Sequence, residues 1–150
     1  MASRDQNQRL DDLMGGYADT GLPLTAQRRA LLEVLASRED HPTVDLIFEA
    51  LAQRIPEVSR TTVYRSLETM AGLGLLNRVE HPGSAVRFDP NTAPHHHFLC
   101  SLCGALRDLP DSALTGAAEL AFHPDGPYLA QEISILVRGH CQSCATPAVE

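Results

Sequence analysis

All four cysteines of this 150-residue chain occur as two closely spaced pairs. Cys100 and Cys103 form the first pair and Cys141 and Cys144 the second, with 37 residues between the pairs. Two thiolates on one tight turn can hold one metal ion, and a second such turn completes a tetrahedral shell of four sulfurs. Two disulfides or a redox-active pair are the alternatives, but the polar N-terminus predicts no secretion signal and a redox pair needs no second copy. We therefore expect a structural zinc site.

Three consecutive histidines lie just before the first cysteine pair. On a strand, His95 and His97 share one face while His96 points to the other. A solvated surface run of histidines is the alternative interpretation. Three imidazoles and two carboxylates would make a five-coordinate site suited to Fe²⁺ or Mn²⁺, with zinc also possible. The other histidine and the carboxylates that could take part are His41, Asp89 and Asp108.

Every basic residue is an arginine, and the 12 arginines leave a formal net charge of −7. This acidic total argues against unspecific coating of nucleic acid, but not against a site-specific DNA binder, for which the local field matters. Between Ser59 and Arg87 the balance reverses, although scattered solvated arginines would look the same on charge alone. No stretch approaches the roughly 18 consecutive apolar residues of a membrane span. We expect a cytoplasmic protein without a membrane partner.

The first half of the chain has apolar residues at helical spacing, followed by alternation typical of strands. Thr25, Thr43 and Ser59 are candidate N-caps for three helices. A short, weakly docked helix is predicted before them, ended by Gly15 and Gly16. The three capped helices and the two strands of a hairpin are predicted at residues 26–37, 44–55, 60–71, 75–80 and 85–89.

Three helices and a hairpin are the order of a winged helix-turn-helix, whose third helix lies in the major groove of DNA. We expect an α+β chain with a winged-helix DNA-binding domain at 1–89, a linker at 90–94 and a second domain at 95–150. The second domain, with strands near 98–99, 105–109 and 132–138 and a helix at 112–122, is small and is expected to pair with a second copy. The candidate DNA contacts on the third helix are Arg60, Thr61, Tyr64 and Arg65, with Arg60 expected on phosphate.

Taken together, these motifs resemble the ferric-uptake-regulator family of transcriptional repressors over essentially the whole chain. The segments that carry the resemblance are 24–29, 41–43, 59–67, 87–89, 95–100 and the two cysteine pairs. The resemblance implies a homodimer of winged-helix heads and α/β dimerisation domains, bound to a palindromic operator. It also implies structural zinc on the four cysteines. A regulatory Fe²⁺ or Mn²⁺ site is implied on His41, Asp89, His95, His97 and Asp108.

Within that family the chain is most similar to the peroxide-sensing branch. Members of that branch resemble it in having aspartate at the positions of Asp89 and Asp108, where iron-uptake repressors usually carry glutamate. Zinc-uptake repressors usually carry a cysteine near Asp89, and this chain has none. The branch implies that peroxide oxidises the metal-binding His41 and His95. Ile133 stands about where many members have a histidine of an additional metal site.

Two other function classes fit part of the pattern. A non-haem metalloenzyme could use a nitrogen and oxygen site with an open position. The chain has no His-Glu-x-x-His pair and no obvious base beside a nucleophile, so we expect no enzyme. A zinc-ribbon interaction module would share the cysteines, but the basic third helix argues against it.

Overall fold

The structure, a computed structural model, describes residues 4–81, 83–114, 127, 129, 131 and 133–145. The chain divides into two compact units on either side of the peptide bond between Thr92 and Ala93. The described part of the first unit is mostly helical and that of the second is built on a sheet, so the predicted α+β class is confirmed. Among the described residues, no helix is long and apolar enough to cross a membrane.

The described part of the first unit contains four helices, and three of them begin at the predicted caps. Thr25 accepts a hydrogen bond from the backbone N–H of Arg28, and Thr43 and Ser59 accept equivalent bonds three residues onward. Because each cap satisfies a backbone donor of the first turn, the helix starts follow from local chemistry. The helices are α1 (Arg4–Asp19), α2 (Ala26–Ala36), α3 (Val44–Ala52) and α4 (Arg60–Gly72).

The first helix does not end at Gly15 and Gly16, as the sequence predicted; it continues to Asp19. Tertiary packing overrides the low helix propensity of glycine here. Tyr17 is buried, and its hydroxyl donates a hydrogen bond of 3.3 Å to the carbonyl of Pro23. A Cβ on Gly16 would lie 3.0 Å from Cδ2 of Leu75, so this glycine permits a close approach to the chain after α4. The helix is therefore firmly docked.

A two-stranded wing follows α4, as the alternation predicted. Its strands are β1 (Asn77–Val79) and β2 (Arg87–Asp89), paired antiparallel with Asn77 opposite Asp89. The segment before α3 joins this wing, because Thr43 bridges Arg87 and the N–H of Phe88 donates to the carbonyl of Pro42 at 3.0 Å. The first unit therefore has the winged-helix architecture, with residues 41–43 held against β2.

One hydrophobic core lies under the helices and the wing of the first unit. Each element contributes fully buried side chains at the spacing of its own period. These include Leu35 of α2, Ile47 and Leu51 of α3, Val63 and Leu67 of α4, and Phe88 of β2. The shared core fixes α4 and β2 relative to α3.

A three-stranded sheet forms the described framework of the second unit. Its strands are β3 (His96–Cys100), β4 (Leu106–Leu109) and β5 (Leu136–Gly139), with β3 in the centre. β4 pairs antiparallel and β5 parallel to β3. A short helix, α5 (Gln142–Ala145), follows β5. Of the helix predicted at 112–122, the described part contains the 3₁₀ turn Asp111–Ala113 and a bend at Leu114, and residues 115–122 lie outside the described residues.

The two glycines inside α1 give a test of this packing. Gly15→Ala should raise the free energy of unfolding by about 0.5–1 kcal/mol, because alanine restricts the unfolded chain and nothing lies within 4 Å of the new Cβ. Gly16→Ala should gain less or lose stability, since its Cβ would crowd Leu75. Urea unfolding of both variants measures the difference. Equal gains would show that α1 is not closely docked at Gly16.

Candidate metal centres and nucleic-acid interface

The four cysteines converge in the second unit. Each offers its Sγ, and all four sulfurs lie within 4.8 Å of one another. Cys100 ends β3, and Cys103 follows on a tight turn in which the N–H of Gly104 donates to the carbonyl of Cys100 at 2.9 Å. Gly104 has φ +71°, a conformation that glycine adopts without strain. The second pair forms a similar turn at the start of α5, where the N–H of Cys144 donates to the carbonyl of Cys141.

Backbone donors stabilise negative charge on part of this cluster. The N–H groups of Cys103 and Cys141 point at the Cys100 thiol and lower its pKa to about 5. The neighbouring thiols of Cys141 and Cys103 raise the pKa of Cys144 to about 12. Four thiolates in so small a space repel one another unless a cation neutralises them. All four cysteines are free thiols, and a tetrahedral set of sulfurs fits Zn²⁺.

A buried histidine–aspartate pair lies in the first unit. His41, just before α3, and Asp89, at the end of β2, are 4% and 2% exposed. The Nε2 atom of His41 lies 3.1 Å from Oδ2 of Asp89, while Oδ1 of Asp89 accepts the N–H of Asn91 at 2.8 Å. One imidazole and one carboxylate therefore face each other in a buried position.

The backbone at His41 is unusual. Its φ is +49°, and no other non-glycine residue in the described part of the chain has a positive φ. A left-handed backbone at such a residue costs about 1–3 kcal/mol and is kept only where the surroundings enforce it. Such strain is found preferentially at functional sites, which sets His41 apart from an ordinary surface histidine.

Three further donors meet in the second unit. His95 and His97 present their Nε2 atoms to each other at 3.0 Å, and both face Oδ1 of Asp108, at 3.1 and 3.7 Å. His97 and Asp108 are brought together because they are opposite each other in the β3–β4 register. The Nδ1 of His95 lies 2.7 Å from the carbonyl of Ala93. Since a carbonyl only accepts, Nδ1 carries a hydrogen, so Nε2 is the ring atom that can serve as a metal ligand when the imidazole is neutral.

His96 points away from this trio, as strand alternation predicted. Its Nδ1 accepts a hydrogen bond of 3.1 Å from the N–H of Ile135, just before β5. His96 thus fastens β5 to β3. Ile133, the position compared with a histidine of other family members, is half exposed.

The candidate DNA-reading helix α4 is amphipathic. Val63, Leu67 and Met70 are buried, whereas Thr61, Tyr64 and Arg65 are exposed on the other side. Beside the helix lies a groove of about 210 Å³. Its lining includes two guanidinium groups and several hydroxyls: Arg28, Arg65, Thr62, Ser66, Thr69 and Tyr17. This face is polar and positively charged in a chain that is acidic as a whole.

The guanidinium of Arg60 already has partners on α3. It forms an ion pair with Asp45 and lies 4.8 Å from the centre of the Phe48 ring. Both charged side chains are more than half exposed, and such surface pairs contribute about 0–1 kcal/mol. Contact of Arg60 with a phosphate would therefore require it to exchange one weak partner for another.

One residue that contacts the main chain of His41 was not predicted from the sequence. Arg87 of β2 donates from Nη1 to the backbone carbonyl of His41 at 3.1 Å, across 46 residues. No local pattern signals such a contact, because its acceptor belongs to the main chain of a distant segment.

The ferric uptake regulator family model matches residues 19–130. This chain belongs to the ferric uptake regulator family. It is 32% identical over 145 residues to the peroxide operon regulator of Bacillus subtilis, covering 97% of each chain. The resemblance stated from the sequence is thereby confirmed. So is the function that comes with it, a metal-dependent transcriptional repressor.

Solved structures of the family share the fold. The crystal structure of the Campylobacter jejuni peroxide stress regulator matches with a TM-score of 0.65 at 26% identity, covering 88% of this chain and 98% of that one. The Helicobacter pylori ferric uptake regulator matches with a TM-score of 0.70 at 20% identity, covering 96% of both. The predicted winged-helix and α/β architecture is therefore confirmed. These relatives are named as regulators.

The exposed face of α4 is tested by Arg65→Ala. We expect weaker operator binding and a smaller salt dependence, because one positive charge leaves the contact face. Fluorescence anisotropy at several salt concentrations measures both. Arg107→Ala removes the same charge from an exposed position of β4 and serves as the control. Unchanged affinity and salt slope in Arg65→Ala would mean that this part of α4 does not read DNA.

The cysteine cluster is tested by Cys144→Ser, with Ser143→Ala as the neighbouring control. Loss of a structural ligand removes folding free energy, since the complete site exists only in the native chain. The serine variant should retain little zinc by elemental analysis and unfold at a much lower temperature, whereas the control should behave as wild type. A stable, dimeric Cys144→Ser protein that still bound DNA would refute a structural role.

Proposed function

We propose that this chain is a peroxide-responsive repressor that binds a palindromic operator as a homodimer and requires Fe²⁺ or Mn²⁺ to do so. The proposal rests on two groups of candidate ligands in which both carboxylates are aspartates. One imidazole faces Asp89 in the first unit, and two imidazoles face Asp108 in the second. Nitrogen and oxygen donors in this proportion suit Fe²⁺ and Mn²⁺. As a DNA-binding regulator, the protein would act in the cytoplasm.

The two ligand sets would bind one regulatory ion together. His41 and Asp89 belong to the winged-helix unit, and His95, His97 and Asp108 to the sheet unit. An ion that requires all five would favour the arrangement in which both units contribute, and DNA that prefers this arrangement would favour the ion equally. In a dimer, the same arrangement would set the spacing of the two heads to that of the operator half-sites.

The four cysteines would hold structural zinc and take no part in sensing. All four sulfurs would be engaged by the ion, which leaves no open position for a reactant. Cys100 is also three residues along β3 from His97, roughly 10 Å at the rise of a strand. A reaction at the histidines would therefore occur beside imidazoles and far from the thiols.

Iron held by these five side chains would supply the reduction of peroxide close to the imidazoles. One peroxide would transfer one oxygen atom to the ring of His41 or His95 and leave its other oxygen as water, so that overall the imidazole gives up two electrons. Oxidation of either ring would remove a ligand and release the operator. Manganese does not readily run this reaction, so a manganese-loaded repressor would keep its histidines and its DNA.

Two related functions and one of a different class are the competitors. An iron-uptake or a zinc-uptake repressor would share the fold, the zinc and the dimer, but would respond to metal concentration and not to peroxide. A metalloenzyme would turn over a substrate without needing DNA. The similar proteins are regulators, which favours a regulatory function over an enzymatic one, and we propose no enzymatic activity.

Peroxide treatment of the iron-loaded protein tests the proposal sharply, because the chain has no lysine and trypsin cuts only at arginine. The peptide 39–54 contains His41 and has no methionine, cysteine, tyrosine or tryptophan. A gain of one oxygen on this peptide therefore reports His41. Peptide 88–107 contains His95, and fragmentation should place its added oxygen there and not on His96, which faces away.

The manganese-loaded protein is the control, with operator binding followed by gel shift in both forms on DNA from the protein's own promoter. The iron form should lose its DNA as oxidised histidine accumulates, while the manganese form should keep it. If the iron form holds its operator and no histidine is oxidised, the peroxide-sensing branch is wrong. An iron-uptake or zinc-uptake repressor would then be the better assignment.

A further inference from the structure

The backbone of His41 is strained, so neighbouring interactions must stabilise its conformation. His41 is followed by Pro42, whose ring restricts the conformations open to the preceding residue. Its side chain is buried with Nε2 directed at Asp89. A positive φ in this position turns the chain sharply between α2 and α3. Without an opposing interaction, the segment would relax to a commoner conformation and carry the imidazole away from Asp89.

The opposing interaction comes from Arg87. Its Nη1 atom lies 3.1 Å from the carbonyl oxygen of His41 and 3.4 Å from that of Asp40, so one guanidinium nitrogen reaches two successive carbonyls. The next residue of the strand, Phe88, donates its N–H to the carbonyl of Pro42 at 3.0 Å. Three consecutive carbonyls of the strained segment are thus held by two adjacent residues of β2.

The same strand carries the partner of the imidazole. Arg87 and Asp89 are two residues apart on β2, so their side chains lie on one face of the strand. Asp89 meets the His41 ring, and Arg87 meets the His41 main chain. Backbone and ring of His41 are therefore positioned by one short piece of rigid structure.

We propose that Arg87 is a positioning residue for the regulatory metal: it holds the left-handed backbone of His41 so that Nε2 faces Asp89 before the ion binds. This inference rests on the proposed regulatory site. Arg87 does not touch the ion; it acts through His41. Its planar, permanently charged guanidinium suits this task better than the ammonium of lysine, which is a point donor on a different stem.

The test compares Arg87→Met, which keeps the aliphatic stem, with Arg78→Met in the other strand of the wing. Arg78 is the matched control, since its guanidinium pairs with the side chains of Glu68 and Glu80 and not with the His41 segment. Mn²⁺ affinity is measured by isothermal titration on zinc-loaded dimers. Arg87→Met should bind Mn²⁺ about 10–100-fold more weakly, as is typical when a partner that orients a ligand is lost. Arg78→Met should match wild type.

A spectroscopic readout separates positioning from general destabilisation. Co²⁺ placed in the regulatory site should give an altered visible absorption spectrum in Arg87→Met, because His41 is no longer correctly placed as a ligand. The zinc content of Arg87→Met and the fraction of dimer measured without DNA should equal those of wild type. Arg87→Lys should recover part of the Mn²⁺ affinity, since its ammonium can still donate to one carbonyl.

His41→Ala distinguishes failure of this inference from failure of the proposed site. If His41→Ala binds Mn²⁺ as wild type does, the regulatory site is wrong, and the role of Arg87 with it. If His41→Ala loses Mn²⁺ while Arg87→Met keeps wild-type affinity and Co²⁺ spectrum, only the role of Arg87 is overturned. Should Arg87→Met fold poorly, Arg87→Gln takes its place, and wild-type Mn²⁺ affinity and Co²⁺ spectrum in a variant at position 87 that has lost the charged donor would overturn the role equally.

Discussion

Strand β3 lies between an antiparallel and a parallel neighbour, and the second unit depends on this placement. Its parallel pairing with β5 sets Cys100 opposite Gly139, so the turn after β5 returns the second cysteine pair to the first. Its antiparallel pairing with β4 sets His97 opposite Asp108. One central strand therefore contributes His97 to one cluster of candidate metal ligands and Cys100, three residues later, to another. A parallel connection is long and costs loop entropy, which a metal ion on the four sulfurs would help to offset.

The corresponding strand of the first unit is β2, which links the histidine–aspartate pair to the helix-turn-helix. Thr43 caps α3 and also forms an antiparallel β-bridge with Arg87. The segment that carries His41 therefore lies at the edge of the wing and leads directly into α3. The core beneath joins α3 to α4 through Ile47, Leu51 and Val63. Because close-packed interiors deform little, this shared core connects the His41 segment, through α3, to the candidate DNA-reading helix α4.

Charge is unevenly distributed in this acidic chain. The total of −7 would repel DNA at long range, yet the exposed side of α4 and its adjoining groove present arginines and hydroxyls. A local positive face on an acidic body favours specific docking over indiscriminate binding, because only one orientation is attractive. The ion pair of Arg60 with Asp45 lowers that positive field at the start of α4 and adds a weak surface contact between α4 and α3.

The sequence by itself determined what depends on neighbouring residues. Thr25, Thr43 and Ser59 predicted three helix starts because an N-cap satisfies donors only three residues away. The two cysteine pairs predicted their turns, and alternation placed His96 opposite to His95 and His97, since a strand has a period of two. Ligand sets drawn from several segments came only from resemblance to a family.

Tertiary structure decided whatever depends on residues distant in sequence. Gly15 and Gly16 have the propensity to end a helix, but the burial of Tyr17 and the contact of Gly16 with Leu75 carry α1 through them. The sequence marks Arg60 only as a basic residue at the start of α4, whereas the fold pairs it with Asp45 of α3. His41 has a left-handed backbone, and its carbonyl accepts a hydrogen bond from the side chain of Arg87, 46 residues away in the sequence. Main-chain carbonyls are the same at every position of a sequence, so only packing can choose which one a guanidinium finds.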